Sequence, residues 1–422
     1  MDLSQLIFIL IIAFLVFDFI LDNILSFLNI RNWKDEVHPR MQGHYPEEKY
    51  KLARAYTGEK RKLGLAAATM NIAIIIIMLL AGGFALVDEK IAESISNPIW
   101  QSIIFFGVLS FASDILNLPF AHHSVFVIEE KYGFNRSTKG TFWGDKFKSW
   151  ILAAIIGGGL FWIIIKIYFW IPDYFWLITW GVITFFMLFM TLFYSNLIVP
   201  LFNKQKPLED GELRDEIESF AAKNNFKLNN IYVIDGSKRS TKANAYFTGL
   251  GPKKRIVLYD TLIAQHTYKE LVAVLAHEIG HYKKKHSLSG FIISTLQIGL
   301  MLFLFNYIAT EPAVPEALGM KPSFHASLLV FGMLLSPVNH ILSILGNVLS
   351  RKHEFQADRY AFEKTKSDDL GNALIKLSVE NLSNLTPHPL YVYMHYSHPP
   401  LIQRLEALDR LMETEKSGNV EN

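Results

Sequence analysis

Long apolar runs dominate the pattern of hydrophobic and polar positions along this chain. A helix needs about 20 apolar residues to cross a bilayer, and runs such as residues 73–80 are apolar on every helical face, which is unusual in soluble helices. The pattern therefore predicts seven transmembrane helices, near residues 4–28, 63–87, 98–120, 150–171, 174–197, 288–309 and 324–349. The first run lacks a preceding basic residue and a small-residue cleavage site, which favours a retained span over a signal peptide.

The pattern changes after the fifth predicted span. Residues 209–225 show helical periodicity, and three short β-like runs follow, separated by Asp-Gly and Gly-Pro turns. These runs cover residues 230–234, 243–248 and 255–259. Thr267 and Glu270 then form the T-x-x-E pattern of a capping box, which predicts the start of an amphipathic helix.

This division predicts two domains. Residues 1–200 are expected to form an N-terminal membrane domain with five spans and two hydrophilic loops, 31–62 and 121–149. Residues 201–422 are expected to form a second, small α+β domain that includes the last two spans. The polar tail, residues 412–422, is predicted to be disordered.

Composition and charge restrict the function. The chain is 51% hydrophobic and only 19% charged, with a mean hydropathy of +0.22 and a net charge of +2. Soluble chains usually carry about 25% charged residues, and a nucleic-acid binder would need a strong basic excess. The absence of cysteine rules out disulfides, thiolate ligands and cysteine nucleophiles. Any metal must therefore be held by histidines and carboxylates.

The charges of the loops predict the orientation in the membrane. Loops 31–62, 121–149 and 198–287 contain nine, five and fifteen Lys and Arg residues, whereas loops 88–97 and 310–323 contain one each. Basic loops stay on the cytoplasmic side. We therefore expect the N-terminus outside or in the lumen, with the large hydrophilic segments and the C-terminus in the cytoplasm, in a bacterial inner membrane or an ER membrane.

Several polar residues interrupt the predicted spans. Ionisable groups inside a membrane normally face a cavity or a partner, although residues near span ends, such as Asp22, can reach the interface instead. A transport pathway and a water-filled chamber are both compatible with this pattern. Pro337 predicts a bend in the last span. The polar positions are Asp18, Asp22, Asp114, Asn339, His340 and Asn347.

The predicted amphipathic helix carries the candidate chemistry. It contains the sequence His277-Glu278-Ile-Gly-His281. Residues i and i+4 lie on one face of a helix, so both imidazoles can bind one cation. Glu278 directly follows the first histidine, where it can act as the general base of a metal-dependent hydrolase.

A catalytic zinc needs a third protein ligand and an open position. Spans six and seven form a hairpin around Glu316. His277 and His281 lie 39 and 35 residues before that point, and Glu354 lies 38 residues after it. Equal arms bring the three side chains to one depth, so Glu354 is the predicted third ligand. Asp358 lies one turn further on, where it can orient a ligand histidine. His286 and His353 are expected to point to other faces, away from the metal.

The chain resembles the integral-membrane zinc metalloproteases of the CaaX prenyl protease 1 (a-factor-converting) type. Five motifs, in order, carry the resemblance: residues 126–135, the Asn-Ala-Tyr-Phe of 244–247, the H-E-I-G-H helix, residues 347–358 and the Ser-His-Pro-Pro of 397–400 with the residues up to Arg404. The resemblance implies a barrel of seven transmembrane helices that encloses a chamber and is capped by a gluzincin-like domain.

The resemblance also implies roles for individual residues. His277, His281 and Glu354 would bind one zinc ion per chain, and Glu278 would activate water. His398 would stabilise the oxyanion. Asn244 and Ala245, on the predicted edge strand 243–248, would bind the substrate backbone. Asp358 and Arg404 would support the site.

The predicted function is a zinc-dependent membrane endopeptidase whose partners are peptide or protein substrates and membrane lipids, but no nucleic acid. C-terminal CaaX-type prenylated peptides are one candidate substrate, and quality control of membrane proteins is an alternative. A transporter or lipid-binding chamber with a structural zinc is the alternative from another class. A protease with its zinc at bilayer depth fits poorly, because three lysines at 283–285 directly follow the motif.

Overall fold

The computed structural model describes residues 1–226, 231–248 and 255–418. Helices form most of the described chain, and one small sheet accompanies them. The mainly helical fold predicted from the hydrophobic pattern is therefore confirmed.

The N-terminal half consists of long apolar helices. They are α1 (Leu3–Arg31), α2 (Glu47–Leu80), α3 (Gly83–Ser94), α4 (Pro98–His123), α5 (Lys139–Leu152), α6 (Gly158–Trp170), α7 (Phe175–Leu197) and the short α8 (Val199–Phe202). A π-helical turn extends α4 through Glu129, and another joins α5 to α6 across 153–157.

The C-terminal half alternates short amphipathic helices with the remaining apolar ones. They are α9 (Glu212–Lys223), α10 (Asp260–Gln265), α11 (Tyr268–Lys283), α12 (His286–Ile308), α13 (Ala313–Glu316), α14 (Phe324–Leu334), α15 (Ser336–Thr365), α16 (Asp369–Glu380), α17 (Pro389–His395) and α18 (Leu401–Gly418). The tail predicted to be disordered from residue 412 is thus helical through Gly418, and residues 419–422 lie outside the described residues.

The described helices provide six spans, or seven when one bent pair counts as a span. That pair is α14 and α15, which meet at an angle of 57°. The break lies at Leu335, and Pro337 occupies the first turn of α15, where its missing N–H costs no helical hydrogen bond. The bend predicted from Pro337 is therefore confirmed.

The second span ends earlier than predicted. The hydrophobic pattern continues to residue 87, but α2 ends at Leu80 and α3 begins at Gly83. Gly82 between them has a φ of +67°, a left-handed conformation that glycine adopts without steric cost. A glycine pair thus divides one continuous apolar run into two helices.

The sheet belongs to the C-terminal half and contains β1 (Gln205–Pro207), β2 (Ile231–Ile234), β3 (Ala245–Thr248) and β4 (Arg255–Tyr259). The strand order is β1-β2-β4-β3, with β2 and β4 parallel and the outer pairs antiparallel. β3 therefore lies at an edge, as predicted, although it starts at Ala245 rather than at 243. The pattern missed β1, which has only three residues, and Asn230 of the first predicted run lies outside the described residues.

The apolar face of α11 forms the core beneath this sheet. Leu271, Leu275 and Ile279 are fully buried against residues of α9 and β4, including Ile217 and Leu258. These positions repeat every four residues, so they form one helical stripe. Burying this stripe fixes the rotation of α11 and directs the histidines of the motif toward α15.

Candidate metal centre

A reciprocal cap holds the start of the helix that carries the motif. Thr267 Oγ1 accepts a hydrogen bond from the Glu270 amide at 3.3 Å, and Glu270 Oε2 accepts one from the Thr267 amide at 2.8 Å. The predicted capping box is therefore confirmed. Glu270 is buried and also pairs with Lys376 Nζ at 2.7 Å, which ties the start of α11 to α16.

The two histidines of the motif point their outer ring atoms at each other. His277 Nε2 lies 3.1 Å from His281 Nε2, and the ring centroids are 4.7 Å apart. His277 is buried, and His281 is partly buried. The i, i+4 spacing thus brings two nitrogen donors to one point.

Glu354 approaches this point from α15. Its Oε1 lies 3.2 Å from His281 Nε2, and its Oε2 lies 3.5 Å from His277 Nε2. A Cβ on Gly280 would meet the backbone of Ala357 at 3.1 Å and Tyr360 Cβ at 3.2 Å. The glycine of the motif therefore lets α11 and α15 pack closely enough for these three side chains to converge.

The donor set of His277, His281 and Glu354 fits a divalent cation. One donor atom from each residue lies within 4.8 Å of the other two. Glu354 Oε2 is buried and, within the described residues, has no hydrogen-bond partner. A buried carboxylate oxygen without a hydrogen bond costs free energy, which a bound cation would offset. Imidazole nitrogen and carboxylate oxygen are also ordinary zinc ligands.

Asp358 and Arg404 lie directly behind His277. Asp358 Oδ1 is 2.8 Å from His277 Nδ1, and Arg404 donates two hydrogen bonds to the Asp358 carboxylate, at 2.8 and 2.5 Å. Arg404 Nη1 also lies 3.5 Å from Glu354 Oε2. All of these side chains are buried, and the fork of the guanidinium holds the carboxylate in the orientation that His277 requires.

The same carboxylates determine the protonation of His277. Burial disfavours the imidazolium, but hydrogen bonds to Asp358 and Glu354 outweigh it and raise the pKa of His277 to about 9. Burial likewise opposes the charge of Arg404, whereas the charge of Asp358 and its hydrogen bonds to it raise the pKa of Arg404 above its ordinary value. The site therefore has a strong affinity for positive charge.

A large cavity opens onto these residues. It has a volume of about 1080 Å³ and runs from His277, Glu278 and His281 along α12 and α15 to Met301 and Asn339. Glu278 is partly buried and, in the described part of the chain, has no hydrogen-bond partner. Glu278 therefore lines the same cavity as His277 and His281.

Comparisons with known proteins agree with this geometry. Residues 26–204 match the CAAX prenyl protease N-terminal family with five membrane helices, and residues 207–412 match peptidase family M48. The chain is 36% identical to CAAX prenyl protease 1 of Saccharomyces cerevisiae over 93% of each chain. It is also 36% identical to the CAAX prenyl protease 1 homologue of Homo sapiens over 75% of each chain. The crystal structure of S. mikatae Ste24p superimposes with a TM-score of 0.91 at 34% identity and covers 97% of this chain and 100% of that one.

The chain belongs to the CAAX prenyl protease 1 family of M48 peptidases. It is a multi-pass integral membrane protein and a metalloprotease. The resemblance and the enzyme class predicted from the sequence are therefore confirmed.

The M48 metalloprotease presents its edge strand to the cavity. Ala245 and Tyr246 of β3 line the cavity wall. Asn244 is exposed and lies one residue before the strand, where its Oδ1 accepts a hydrogen bond from the Ala245 amide at 2.9 Å and its backbone carbonyl accepts one from the Tyr259 amide at 3.1 Å. Of the predicted substrate-binding pair, Ala245 thus lines the cavity, and Asn244 directly precedes it on the exposed end of the strand.

His398 lies across the cavity from α11. Its Nε2 is 3.4 Å from Glu354 Oε1, and its side chain is 64% exposed. Ser397 Oγ lies 3.0 Å from His398 Nδ1. When the hydroxyl donates to Nδ1, the proton of the neutral ring is on Nε2 and faces the site.

The polar residues inside the spans have different surroundings. Asp18 accepts hydrogen bonds from His340, at 2.9 Å, and from Ser336, and together with Asn339 these residues line a smaller cavity of about 380 Å³. Asp114 instead accepts hydrogen bonds from Lys146 Nζ and Trp150 Nε1, both at 2.8 Å. Asp114 therefore joins α4 to α5, whereas the other residues line a cavity.

The sequence predicted that His286 and His353, although adjacent to the site, point to other faces; for His286 that prediction is wrong, because its ring contacts His281. His286 Nδ1 lies 3.0 Å from His281 Nδ1, and the ring of His353 stacks on His286 at 4.0 Å. The i+5 spacing of His281 and His286 did not predict this contact, because in a straight helix the two side chains would lie on different faces. The residues between them include no glycine or proline, and lysine is a good helix former, so the sequence carried no signal of the turn.

Proposed function

We propose that this metalloprotease is a zinc-dependent endopeptidase that hydrolyses peptide bonds in polypeptides delivered to its cavity, including C-terminal CaaX-type prenylated peptides. The observation that carries this proposal is the convergence of His277 Nε2, His281 Nε2 and the Glu354 carboxylate beside Glu278. Two imidazoles and one carboxylate form a donor set that leaves a coordination position open on zinc.

His277, His281 and Glu354 would hold the zinc, one ion per chain. When bound, zinc supplies Lewis acidity, which lowers the pKa of water and polarises a carbonyl. Glu278 would accept a proton from the attacking water at a carboxylate oxygen and then pass it to the leaving amine. The Arg404–Asp358 pair would keep the proton of His277 on Nδ1, so that Nε2 offers its lone pair to the metal.

His398 would act at the substrate carbonyl. Its Nε2–H faces the site when Ser397 donates to Nδ1, so it can donate a hydrogen bond to the oxygen that becomes negative during attack. Its exposure suits this role, because the substrate must enter between His398 and the metal.

The edge strand supports an extended substrate. β3 pairs with β4 on one side only within the described sheet, and its residues Ala245 and Tyr246 face the cavity. A peptide can add to such an edge as a further strand, held by backbone hydrogen bonds. The cavity is larger than the roughly 300–1,000 Å³ of most small-ligand pockets and extends between the spans, where a lipid-modified residue could be accommodated.

The loop charges described above support a cytoplasmic active site. We propose that the N-terminus lies outside or in the lumen and that the metal site and the C-terminus face the cytoplasm. The yeast and human relatives are CAAX prenyl proteases. Together with the size of the cavity, this similarity supports prenylated substrates.

Purified protein in detergent tests the proposal. We expect about one zinc per chain, cleavage of a farnesylated CaaX peptide, and slower cleavage of the same peptide without the lipid. Glu278→Gln should keep the metal and lose cleavage, because the amide cannot accept the proton. Glu363→Gln, which changes an exposed carboxylate on α15, is the matched control and should retain activity.

Each alternative gives a different result. Equal cleavage of plain, unfolded polypeptides would favour a quality-control protease over a prenyl-specific one. Ligand uptake or binding that survives Glu278→Gln, together with no cleavage of any peptide, would favour a transporter or lipid-binding chamber. Full activity of Glu278→Gln would contradict the catalytic assignment.

A further inference from the structure

The Nδ1 atom of His281, on the side of the ring away from His277, contacts a third histidine, His286. α11 ends at Lys283, and α12 begins at His286 after Lys285 adopts a left-handed backbone conformation with a φ of +59°. This tight turn folds the start of α12 back against the last turn of α11. His286 Nδ1 therefore lies 3.0 Å from His281 Nδ1.

The partners of His286 define its protonation. Its Nε2 lies 2.9 Å from Gln356 Oε1, and an amide oxygen can only accept a hydrogen bond. The ring proton of neutral His286 is therefore on Nε2, and its Nδ1 carries a lone pair. That lone pair accepts the Nδ1–H of His281, so His281 Nε2 is left unprotonated and directed at His277 and Glu354.

The surroundings of His286 hold it in this orientation. The side chain is buried, with only 7% exposed, and His353 stacks on it with an interplanar angle of 8°. Gln356 and His353 both belong to α15, on either side of Glu354. The contact thus joins α11, α12 and α15 at one point behind the donor set.

The two motif histidines, His277 and His281, differ in the side chains that contact their Nδ1 atoms. His277 is held by a carboxylate, Asp358, which is itself bound by Arg404. His281 is held by a neutral imidazole and an amide. Partners of this kind fix the tautomer and orientation of a metal ligand, and their loss typically lowers metal affinity about 10–100-fold.

We propose that His286, oriented by Gln356, is a positioning residue of the metal site: it accepts the Nδ1–H of His281 and thereby directs His281 Nε2 to the metal. This inference depends on the proposed function only in that His281 is taken as a metal ligand. His286 itself lines the cavity but has no role at the reacting atoms.

Zinc affinity, rather than activity, tests the inference. Metal-free protein is titrated with zinc in competition with a chromophoric chelator, and the Co²⁺-substituted protein is examined by visible absorption. We expect His286→Ala to weaken zinc binding about 10–100-fold and to change the cobalt spectrum. His286→Asn should restore most of the affinity, because Asn Oδ1 can accept from His281 near the position of the lost Nδ1.

Gln356 variants test the direction of the hydrogen bonds. Gln356→Glu keeps an acceptor for His286 Nε2–H and should retain zinc affinity, whereas Gln356→Leu removes it and should weaken binding. If Gln356→Glu weakened binding as much as Gln356→Leu, the assigned tautomer would be wrong and the inference overturned. The two Gln356 variants also test the role of His286 if His286→Ala fails to fold.

His266→Ala is the matched control. His266 is as buried as His286, but among the described residues its ring nitrogens hydrogen-bond to the backbone carbonyls of Leu262 and Ala373 alone. The His266→Ala substitution should lower thermal stability without changing zinc affinity.

Unchanged zinc affinity and an unchanged cobalt spectrum in His286→Ala would also overturn the inference. Failure of the metal-site assignment is distinguishable, because in that case wild-type protein and His277→Ala would bind zinc equally, and failure of the proposed catalysis would appear as full activity of Glu278→Gln.

Discussion

At the scale of single residues, His398 differs from the residues that hold the metal site together. Asp358 and Arg404 are buried and paired with each other, so their substitution disturbs the packing around His277. The His398 side chain is mostly exposed, and its Nε2 lies 3.4 Å from Glu354 Oε1. Its substitution should therefore affect the chemistry and leave the structure intact.

We expect His398→Ala to retain zinc and to lower turnover by about 10²–10³, the usual effect of losing one oxyanion donor. Metal content and the thermal midpoint of the variant serve as controls for folding. The measurement is steady-state cleavage of a fluorogenic peptide. Turnover equal to that of the wild type would place the Ser-His-Pro-Pro segment outside the reaction.

At the scale of helices and strands, the approach of α11 to α15 determines whether the three donors meet. Gly280 lies in this interface, where an added Cβ would lie 3.1 Å from the backbone of Ala357. Backbone atoms cannot move aside as a flexible side chain can. The glycine of the motif is therefore required by helix packing rather than by metal chemistry.

Gly280→Ala should separate the two helices by a few tenths of an ångström. We expect a loss of about 1–3 kcal/mol in the free energy of unfolding, as for other overpacked sites, together with weaker zinc binding. Gly332→Ala on α14 is the control, because its added Cβ would meet nothing within 4 Å. Thermal midpoints and zinc titrations of both variants, measured in the same detergent, provide the comparison. Equal behaviour of the two variants would show that the close contact is not limiting.

A second contact between elements fixes the start of the edge strand. Residues 126–135 of the family motif form the end of the α4 extension and the turn after it, and they pair with the segment before β3: Thr241 donates its amide to Phe134 O at 3.1 Å. Lys242 Nζ then lies 3.1 Å from Glu129 Oε2 and 2.8 Å from Tyr56 Oη, and 4.2 Å from the centroid of the Phe134 ring. The membrane domain thus holds the residues that lead into Asn244.

Glu129→Gln should weaken this attachment and loosen β3 without reaching the metal. We therefore expect a higher KM with a smaller change in kcat and an unchanged zinc content. Glu59→Gln is the matched control, because Glu59 forms an ion pair with the exposed Lys131 nearby but does not contact Lys242. A pure loss of kcat in Glu129→Gln would contradict this explanation.

At the scale of the whole molecule, one orientation in the membrane must account for both the transmembrane helices and the position of the metal site. The basic loops and the metal site lie at the same ends of the predicted spans, so the proposed orientation would place both in the cytoplasm. The absence of cysteine makes this assignment directly testable, because any introduced thiol is the sole target for labelling.

We expect a membrane-impermeant maleimide to label Glu311→Cys, in the loop between α12 and α13, on intact cells or spheroplasts. Glu209→Cys, between β1 and α9, should be labelled only after the membrane is opened. Both native side chains are exposed, so accessibility within the protein does not bias the comparison. Labelling in the reverse order would invert the proposed topology.

Local patterns in the sequence were sufficient to predict much of this protein. The apolar runs predicted the spans, and the i, i+4 spacing of His277 and His281 predicted a shared direction, since both depend on interactions within one helix. The hairpin around Glu316 even indicated Glu354, because the rise per residue is constant along a helix.

Only the tertiary structure decided the features that depend on contacts between elements. The left-handed turn at Lys285 brings His286 to His281, and Gly82 ends a helix inside a continuous apolar run. Glu129 and Lys242 are far apart in the sequence and meet only because the extension of α4 packs against the segment before the edge strand. Such contacts depend on how distant helices pack, and no local periodicity records that packing.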